Sequence, residues 1–306
     1  MASGMVSISI IIPYLNQPQY LQRCLRSLQQ QTSGLDRAEI IVVDNGSKIL
    51  PDDICKAFPA VRLEQDPRPG PGIARNRGVA VSSGEILAFI DADCVADKNW
   101  LSAIDAELAG GGPCQIIGGD VRIGLQTQGQ MTMLEAYESV YAYRQRDYIE
   151  KQGFSGTGNL AMRRTAYDAV GPFAGIDVAE DRDWGQRATR MGYRIKYLPE
   201  MIVFHPARHS FAELTAKWDR HVSHDYTEFA SGAMGKVKWA FKIAAMALSP
   251  GLEIIRIVRS ERISGIRERY LAFTVLVRIR LFRAVRMLEL LVKGGRASRS
   301  GRWNRE

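Results

Sequence analysis

Cysteine is scarce in this chain, with four in 306 residues. Cys24, Cys55, Cys94 and Cys114 form no CxxC pair, so a disulfide scaffold is a poor fit and a reducing, cytoplasmic setting is expected. Histidine is equally sparse, with His205, His209, His221 and His224 confined to one stretch. Long apolar runs are missing too. A spanning helix needs ~18 uninterrupted apolar residues, but the run from Trp239 to Leu248 is broken by Lys242, and 271–292 contains Arg278, Arg280, Arg283 and Arg286. No GxGxxG phosphate loop, secretory leader or internal repeat is found.

What is present is an ordinary globular composition, 46% hydrophobic and 24% charged, long enough to bury an enzyme-sized core. The formal charge of +8 is uneven: residues 232–306 hold 17 Lys and Arg against 5 Asp and Glu, a local +12 that leaves −4 elsewhere. A basic tail on a mildly acidic body points to a polyanionic partner for the tail, either a membrane surface or nucleic acid.

The first half alternates strands and helices. Ser7–Ile12 is a β-branched run closed by Pro13, and Tyr20, Leu21, Cys24, Leu25 and Leu28 follow at helical spacing. Further strands are expected at Glu39–Asp44, Val61–Leu63 and Ile86–Ile90, with a Pro/Gly-rich loop over Asp66–Gly72 and a helix over Ile73–Val81. This alternation predicts a mainly parallel sheet flanked by helices. In the second half the pattern predicts a strand over Ile116–Ile123, one amphipathic helix over Met131–Tyr148 and a helix over Val178–Met191. Two short strands (Arg194–Leu198, Met201–Phe204) and a helix over Phe211–Phe229 follow. Basic helices interrupted near Ser249-Pro250-Gly251 form a C-terminal extension.

In an open parallel sheet, ligands collect beyond the carboxyl ends of the strands. Asp44 ends one apolar run, and Asp91 and Asp93 directly follow another. Two carboxylates so close repel unless a cation lies between them, and oxygen donors favour Mg²⁺ or Mn²⁺. A solvated helix-capping turn is the competing reading of the same spacing. The neighbouring Cys94 is too soft a ligand for such ions and reads as packing.

Six segments in order carry a resemblance: SIIIPYLNQPQYLQRCLRSLQQQ from Ser9, IIVVDNGS from Ile40, GIARNRG from Gly72, AFIDADC from Ala88, GTGNLAMRR from Gly156 and AEDRDWGQR from Ala179. Together they resemble the family 2 glycosyltransferases of the GT-A fold, bacterial polysaccharide types included. The resemblance spans about residues 7–205 and implies an α/β fold with a nucleotide-sugar half (about 1–125) and an acceptor half (about 126–231), followed by the basic helical extension 232–306. It implies inverting, divalent-metal-dependent transfer from a nucleoside-diphosphate sugar to a hydroxyl, on a lipid-linked or polysaccharide glycan. The QxxRW motif of processive members is absent, which favours one addition per encounter.

The same resemblance assigns roles where residues coincide. Pro13, Tyr14, Asn16 and Asp44 would surround the nucleotide base, Asp44 also suiting an Asx turn with Gly46. Arg75 would face the donor. Asp93 is the expected direct metal ligand, with Asp91 near the ribose or sharing the ion, and His205 a further ligand. A zinc site built on His205/His209 or His221/His224 is the sharper alternative, but no third ligand completes it. Gly158 and Asn159 would approach the sugar. Asp181 is the expected catalytic base, leaving Glu180 at the acceptor end or in a capping pair with Asp177. Trp184 offers either an acceptor platform or plain core. Alternatives of other kinds are a sugar-phosphate nucleotidyltransferase, which wants a basic glycine-rich loop that Ile10–Asn16 lacks, and a non-catalytic binding module for membrane or nucleic acid, which would not need four carboxylates. Attachment of the basic helices to the inner face of the cell membrane is expected, with no nucleic acid, through about Lys236–Lys293 and with Trp303 as a further flank; a basic helical pair packed on the body is the competing reading.

Overall fold

The computed structural model describes residues 7–110, 112–176, 178–229 and 232–293; Asp177 and Trp303 lie outside them. In chain order they form β1 (Ile8–Tyr14), α1 (Pro18–Gln29), β2 (Ala38–Asp44), α2 (Asp52–Lys56), β3 (Val61–Gln65), α3 (Pro71–Val81), β4 (Ile86–Ile90), β5 (Val95–Ala96), α4 (Trp100–Leu108) and β6 (Ile116–Gly124). These are followed by α5 (Met133–Tyr141), α6 (Gln145–Gln152), β7 (Asn159–Arg163), α7 (Arg164–Val170), α8 (Glu180–Arg190), β8 (Ile195–Pro206), α9 (Phe211–Phe229), α10 (Gly232–Val258) and α11 (Gly265–Lys293).

The contacts divide the chain into two units. One holds everything up to Gly124 together with Tyr143–Pro206; the other holds Leu125–Ala142 and the described residues from Ala207 onward. The expected boundary at 231/232 falls inside the second unit, because α5 and α9 share a core with α10 and α11.

The first unit is an eight-stranded sheet of order β3-β2-β1-β4-β7-β6-β8-β5. Strands β1, β2, β3 and β4 are mutually parallel, and so are β6 and β8, while β7 runs antiparallel between β4 and β6. Both faces are covered, which is why the strands read as unbroken apolar runs. Ile8, Ile10 and Ile12 pack with Leu21, Cys24, Leu25 and Leu28 of α1 and with Trp100 and Ile104 of α4. Ile11 points the other way, toward Phe89, Leu160, Phe173 and Trp184. Helix α3 comes close to the sheet because of Gly78, where an added Cβ would lie 2.5 Å from Ile11 Cγ2.

Four expectations of local structure are corrected. Strand β1 runs through Pro13 to Tyr14; pairing with β4 ends at Ile11–Phe89, so the missing N–H of Pro13 breaks no ladder on that side. The single helix expected over Met131–Tyr148 is two helices, α5 and α6, separated at Tyr143, whose φ is +46°. The two expected strands after Arg194 are one strand, β8, with a register irregularity opposite Gly119/Asp120. Helix α10 continues through Pro250. Proline leaves the carbonyl one turn back without its N–H donor, and here Ser249 Oγ donates to Met246 O at 2.8 Å in its place.

In the second unit the arginines of α11 are largely spoken for. Arg280 pairs with Glu253 and Arg286 with Asp219, while Arg283 lies 3.8 Å over the Trp218 ring and Arg278 4.3 Å over Phe211. Ala272, Val275, Leu276 and Ile279 are core. Beside these arginines Leu276 and Ile279 are buried, while Val285, Leu288 and Val292 are exposed.

Candidate active site

The strand order reverses beside β1: the chain builds β2 and β3 on one side of it and β4 on the other. At the carboxyl edge of this reversal lie Tyr14, Asp44 and the Asp91-Ala92-Asp93 turn, where a ligand crevice is expected. Two clips hold the edge open. Asp44 Oδ2 accepts the N–H groups of Gly46 and Ser47, both at 3.1 Å, making the anticipated Asx turn. Asn16, at φ +52°, accepts Lys48 N–H through Oδ1 at 2.8 Å, and its own N–H donates to Ser47 Oγ at 2.9 Å. Asn45, which the sequence reading did not single out, donates to the carbonyls of Asp66 and Arg68 and accepts Gly70 N–H. It fixes the loop that leads into α3.

The centre of the site is a chain of charges. Arg75, 2% exposed on α3, donates from Nη2 to Asp91 Oδ1 at 2.6 Å and from Nη1 to Glu180 Oε1 at 2.9 Å. It therefore joins the end of β4 to the start of α8. Burial opposes the guanidinium charge, but the two carboxylates outweigh it and hold the group firmly protonated. Burial also pushes the Asp91 carboxyl above its ordinary range, in spite of Arg75. Gly158 is required beside it: a Cβ there would sit 2.6 Å from Asp91 Oδ2. Replacing Arg75 with methionine is expected to leave Asp91 and Glu180 without their cation. The cost should be about 2–3 kcal/mol, less than for a wholly buried pair because Asp91 is partly open to solvent. Thermal melting would read this as a fall of about 3–5 °C; an unchanged Tm would show the carboxylates to be balanced without Arg75.

The second half of the site joins Asp93 to His205, 112 positions apart in the sequence. His205 Nδ1 lies 2.7 Å from Pro206 O. A carbonyl only accepts, so Nδ1 carries a proton; Nε2 presents a lone pair only in the neutral ring, and against burial the Asp93 carboxylate raises the imidazole toward its protonated form. That Nε2 faces Asp93 Oδ2 at 3.2 Å and Tyr143 OH at 2.9 Å. Two acceptors this close need a shared proton or a cation. Burial raises the Asp93 carboxyl, but the His205 contact outweighs it and holds the group below its ordinary value. The spacing suits a metal: adjacent corners of an octahedron with ~2.1 Å bonds lie about 3 Å apart. Among the described residues no group of three His, Cys, Asp or Glu forms a complete cage. An ion held here would therefore take at most two ligands from Asp93 and His205 and the rest from waters and phosphate oxygens. Tyr143, its ring tilted 34° to the imidazole with centroids 4.5 Å apart, was missed by the sequence reading, because the helical spacing runs through it unbroken. The thiols of Cys24 and Cys94 are buried beside these carboxylates and pushed well above their ordinary range, so they stay protonated packing groups.

Three residues with expected site roles are engaged within the protein. Asn159 is fully buried, donates to Asp120 O and Met201 O at 2.8 Å each, and accepts Trp100 Nε1–H at 2.8 Å. Both of its donors and its acceptor are used within the protein, so it ties strands together instead of touching a sugar. Trp184 is 1% exposed, donates to Gly171 O and packs on Phe173; it is core and offers no platform. Glu180 opens α8 without capping it; its partner is Arg75, and Asp177 lies outside the described residues. Asp181, partly buried in the same first turn, accepts the N–H of Arg182 at 2.7 Å.

Comparison with known proteins places this geometry. The model of the family described as Glycosyl transferase family 2 matches residues 9–171, more than half of the chain. The chain is 34% identical over 223 residues to Glycosyltransferase AglE of Haloferax volcanii, covering 71% of this chain and 72% of that protein. Among solved structures it is similar to a mannosyltransferase from Pyrobaculum calidifontis in complex with GDP-Man and Mn²⁺, with a TM-score of 0.58, 15% identity and coverage of 94% and 87%. It is also similar to glucosyl-3-phosphoglycerate synthase of Mycobacterium tuberculosis in complex with Mn²⁺, UDP and phosphoglyceric acid, with a TM-score of 0.51, 24% identity and coverage of 72% and 78%. At these identities the two structures speak for a shared GT-A-type fold.

Proposed function

The chain belongs to glycosyl transferase family 2 and is a glycosyltransferase, and from that premise we propose that it transfers a sugar from a nucleoside-diphosphate donor to a hydroxyl acceptor with inversion, using Mn²⁺ or Mg²⁺. The observation that carries the proposal is the pairing of Asp93 with His205 at the end of β4, beside the Arg75-bound Asp91. The nucleotides and ions bound in the two similar structures agree with this reading.

In this reading Pro13, Tyr14 and Asn16 wall the base site, and Asp44 Oδ1 accepts a base N–H. Asp93 and His205 hold the ion, with Asp91 beside it facing the ribose. When bound, the ion supplies Lewis acidity to the diphosphate leaving group. Asp181 accepts the proton of the acceptor hydroxyl as its oxygen bonds to the anomeric carbon and the bond from that carbon to the diphosphate oxygen breaks. One displacement inverts the centre. The acceptor proposed is a lipid-linked or polysaccharide glycan, reached by peripheral attachment of the C-terminal helices to the inner face of the cell membrane.

The test is a donor screen. The full-length protein, given common nucleotide sugars with Mn²⁺, should be stabilised against melting by one of them and yield a product heavier by one sugar. Stabilisation by none, with no product detected by mass, would overturn the reading.

A further inference from the structure

Helix α10 is apolar on two opposite sides. Its inner side, with Trp239 and Ile257, is buried in the second unit. On the other side Met234, Val237, Phe241, Leu248, Leu252 and Ile255 are exposed, Phe241 by 74%, Leu248 by 75% and Leu252 by 82%. At about 100° per residue these positions form one stripe along the helix. Its 27 residues make a rod about 40 Å long, kept unbroken at Pro250 by the Ser249 hydroxyl. An exposed apolar stripe of this length on a soluble surface marks an interaction site.

Charge decides the occupant. The same spacing sets Lys238 beside the stripe and Lys242 farther round, its ammonium 5.7 Å from the centroid of the Trp239 ring, while Lys236 falls on another side of the helix. The one acid in α10, Glu253, is engaged by Arg280 and Arg256. A second copy of α10 would therefore bring lysines to lysines with no countercharge. An anionic lipid surface supplies both the apolar medium and the countercharge. Crossing the membrane is not an option, since no helix among the described residues is long and apolar enough.

We propose that the outer face of α10 lies in the plane of an anionic bilayer, with Phe241, Leu248 and Leu252 entering the boundary between headgroups and acyl chains and Lys238 meeting the lipid phosphates. This rests on the reading that the protein attaches to membrane, and it narrows the expected contact from about Lys236–Lys293 to α10, since Arg278, Arg280, Arg283 and Arg286 of α11 are engaged inside the second unit.

The test uses the full-length protein with phosphatidylcholine vesicles, with and without phosphatidylglycerol. Wild type should co-sediment only with the anionic vesicles. The Phe241→Asp/Leu248→Asp double variant should lose at least about tenfold in partitioning while melting at the wild-type temperature, since both side chains are exposed. Phe241→Trp should gain a blue-shifted emission that brominated acyl chains quench. Wild-type protein that ignores anionic vesicles would overturn membrane attachment as a whole. Undiminished sedimentation of the double variant would overturn insertion through α10 and leave attachment standing. A dimer seen by light scattering and abolished by the double variant, without vesicle binding, would assign the stripe to a second copy and overturn the proposal.

Discussion

Asp93→Ala should abolish nearly all transfer, a loss of about 10³-fold or more, and should weaken donor binding in the presence of Mn²⁺. The size follows from what a single ligand does here. Asp91 is already committed to Arg75 at 2.6 Å, so with Asp93 gone only His205 remains aimed at the ion. An imidazole alone holds Mn²⁺ or Mg²⁺ poorly, because both ions prefer oxygen donors. Without the ion the diphosphate leaves with its charge unneutralised, and stabilisation of that charge is worth several kcal/mol. Chelation of the wild-type enzyme should reproduce the variant, with activity returning on added Mn²⁺ for wild type but not for Asp93→Ala. His205→Ala should be milder, about 10–100-fold, because the carboxylate that prefers the ion remains. Wild-type rates that persist in excess chelator would remove the metal from the reaction.

Much of this site was legible because its parts are local patterns. Ile86–Ile90 is fully buried and ends at the carboxylate turn, so an apolar run followed by acid could be placed at a strand end before any coordinates. The α1 stripe of Leu21, Cys24, Leu25 and Leu28 was equally plain. What stayed hidden depends on partners distant in sequence. Nothing in GIARNRG says that Arg75 will bridge Asp91 and Glu180, the latter 105 positions away. Asn159 has the composition of a sugar-binding residue, and only its three internal hydrogen bonds reveal a tie. Trp184 sat equally well on a core stripe or a binding face, and burial against Phe173 decided it. The left-handed Tyr143 and the unbroken Pro250 were misread for a related reason: each goes with a side-chain contact, of Tyr143 OH with His205 and of Ser249 Oγ with Met246 O, that periodicity does not register.

Asp181→Asn should lower kcat by about 10²-fold or more while leaving donor affinity unchanged, as expected when a base is lost and the donor contacts are kept. The environment of Asp181 favours that role. Burial, then the neighbouring Glu180 carboxylate, push its pKa above the ordinary value, against the N–H of Arg182 and the charge of Arg75. A raised pKa makes a carboxylate a stronger proton acceptor, provided it is ionised at the working pH. The sign is then fixed: below this pKa the base is protonated and idle, so activity should fall as pH drops through it. That acid limb should lie above the ~3.9 of an ordinary aspartate. In Asp181→Asn the limb should disappear from what activity remains. Glu180→Gln tests the same arrangement from outside. It removes the negative charge that raises Asp181 and releases Arg75 from one of its two partners, and both effects lower the Asp181 pKa. Its acid limb should therefore move to lower pH, with a smaller loss of kcat than in Asp181→Asn. A larger loss in Glu180→Gln with a mild Asp181→Asn would mean that the two carboxylates at the start of α8 have exchanged roles, with Glu180 taking the proton and Asp181 only shaping its field.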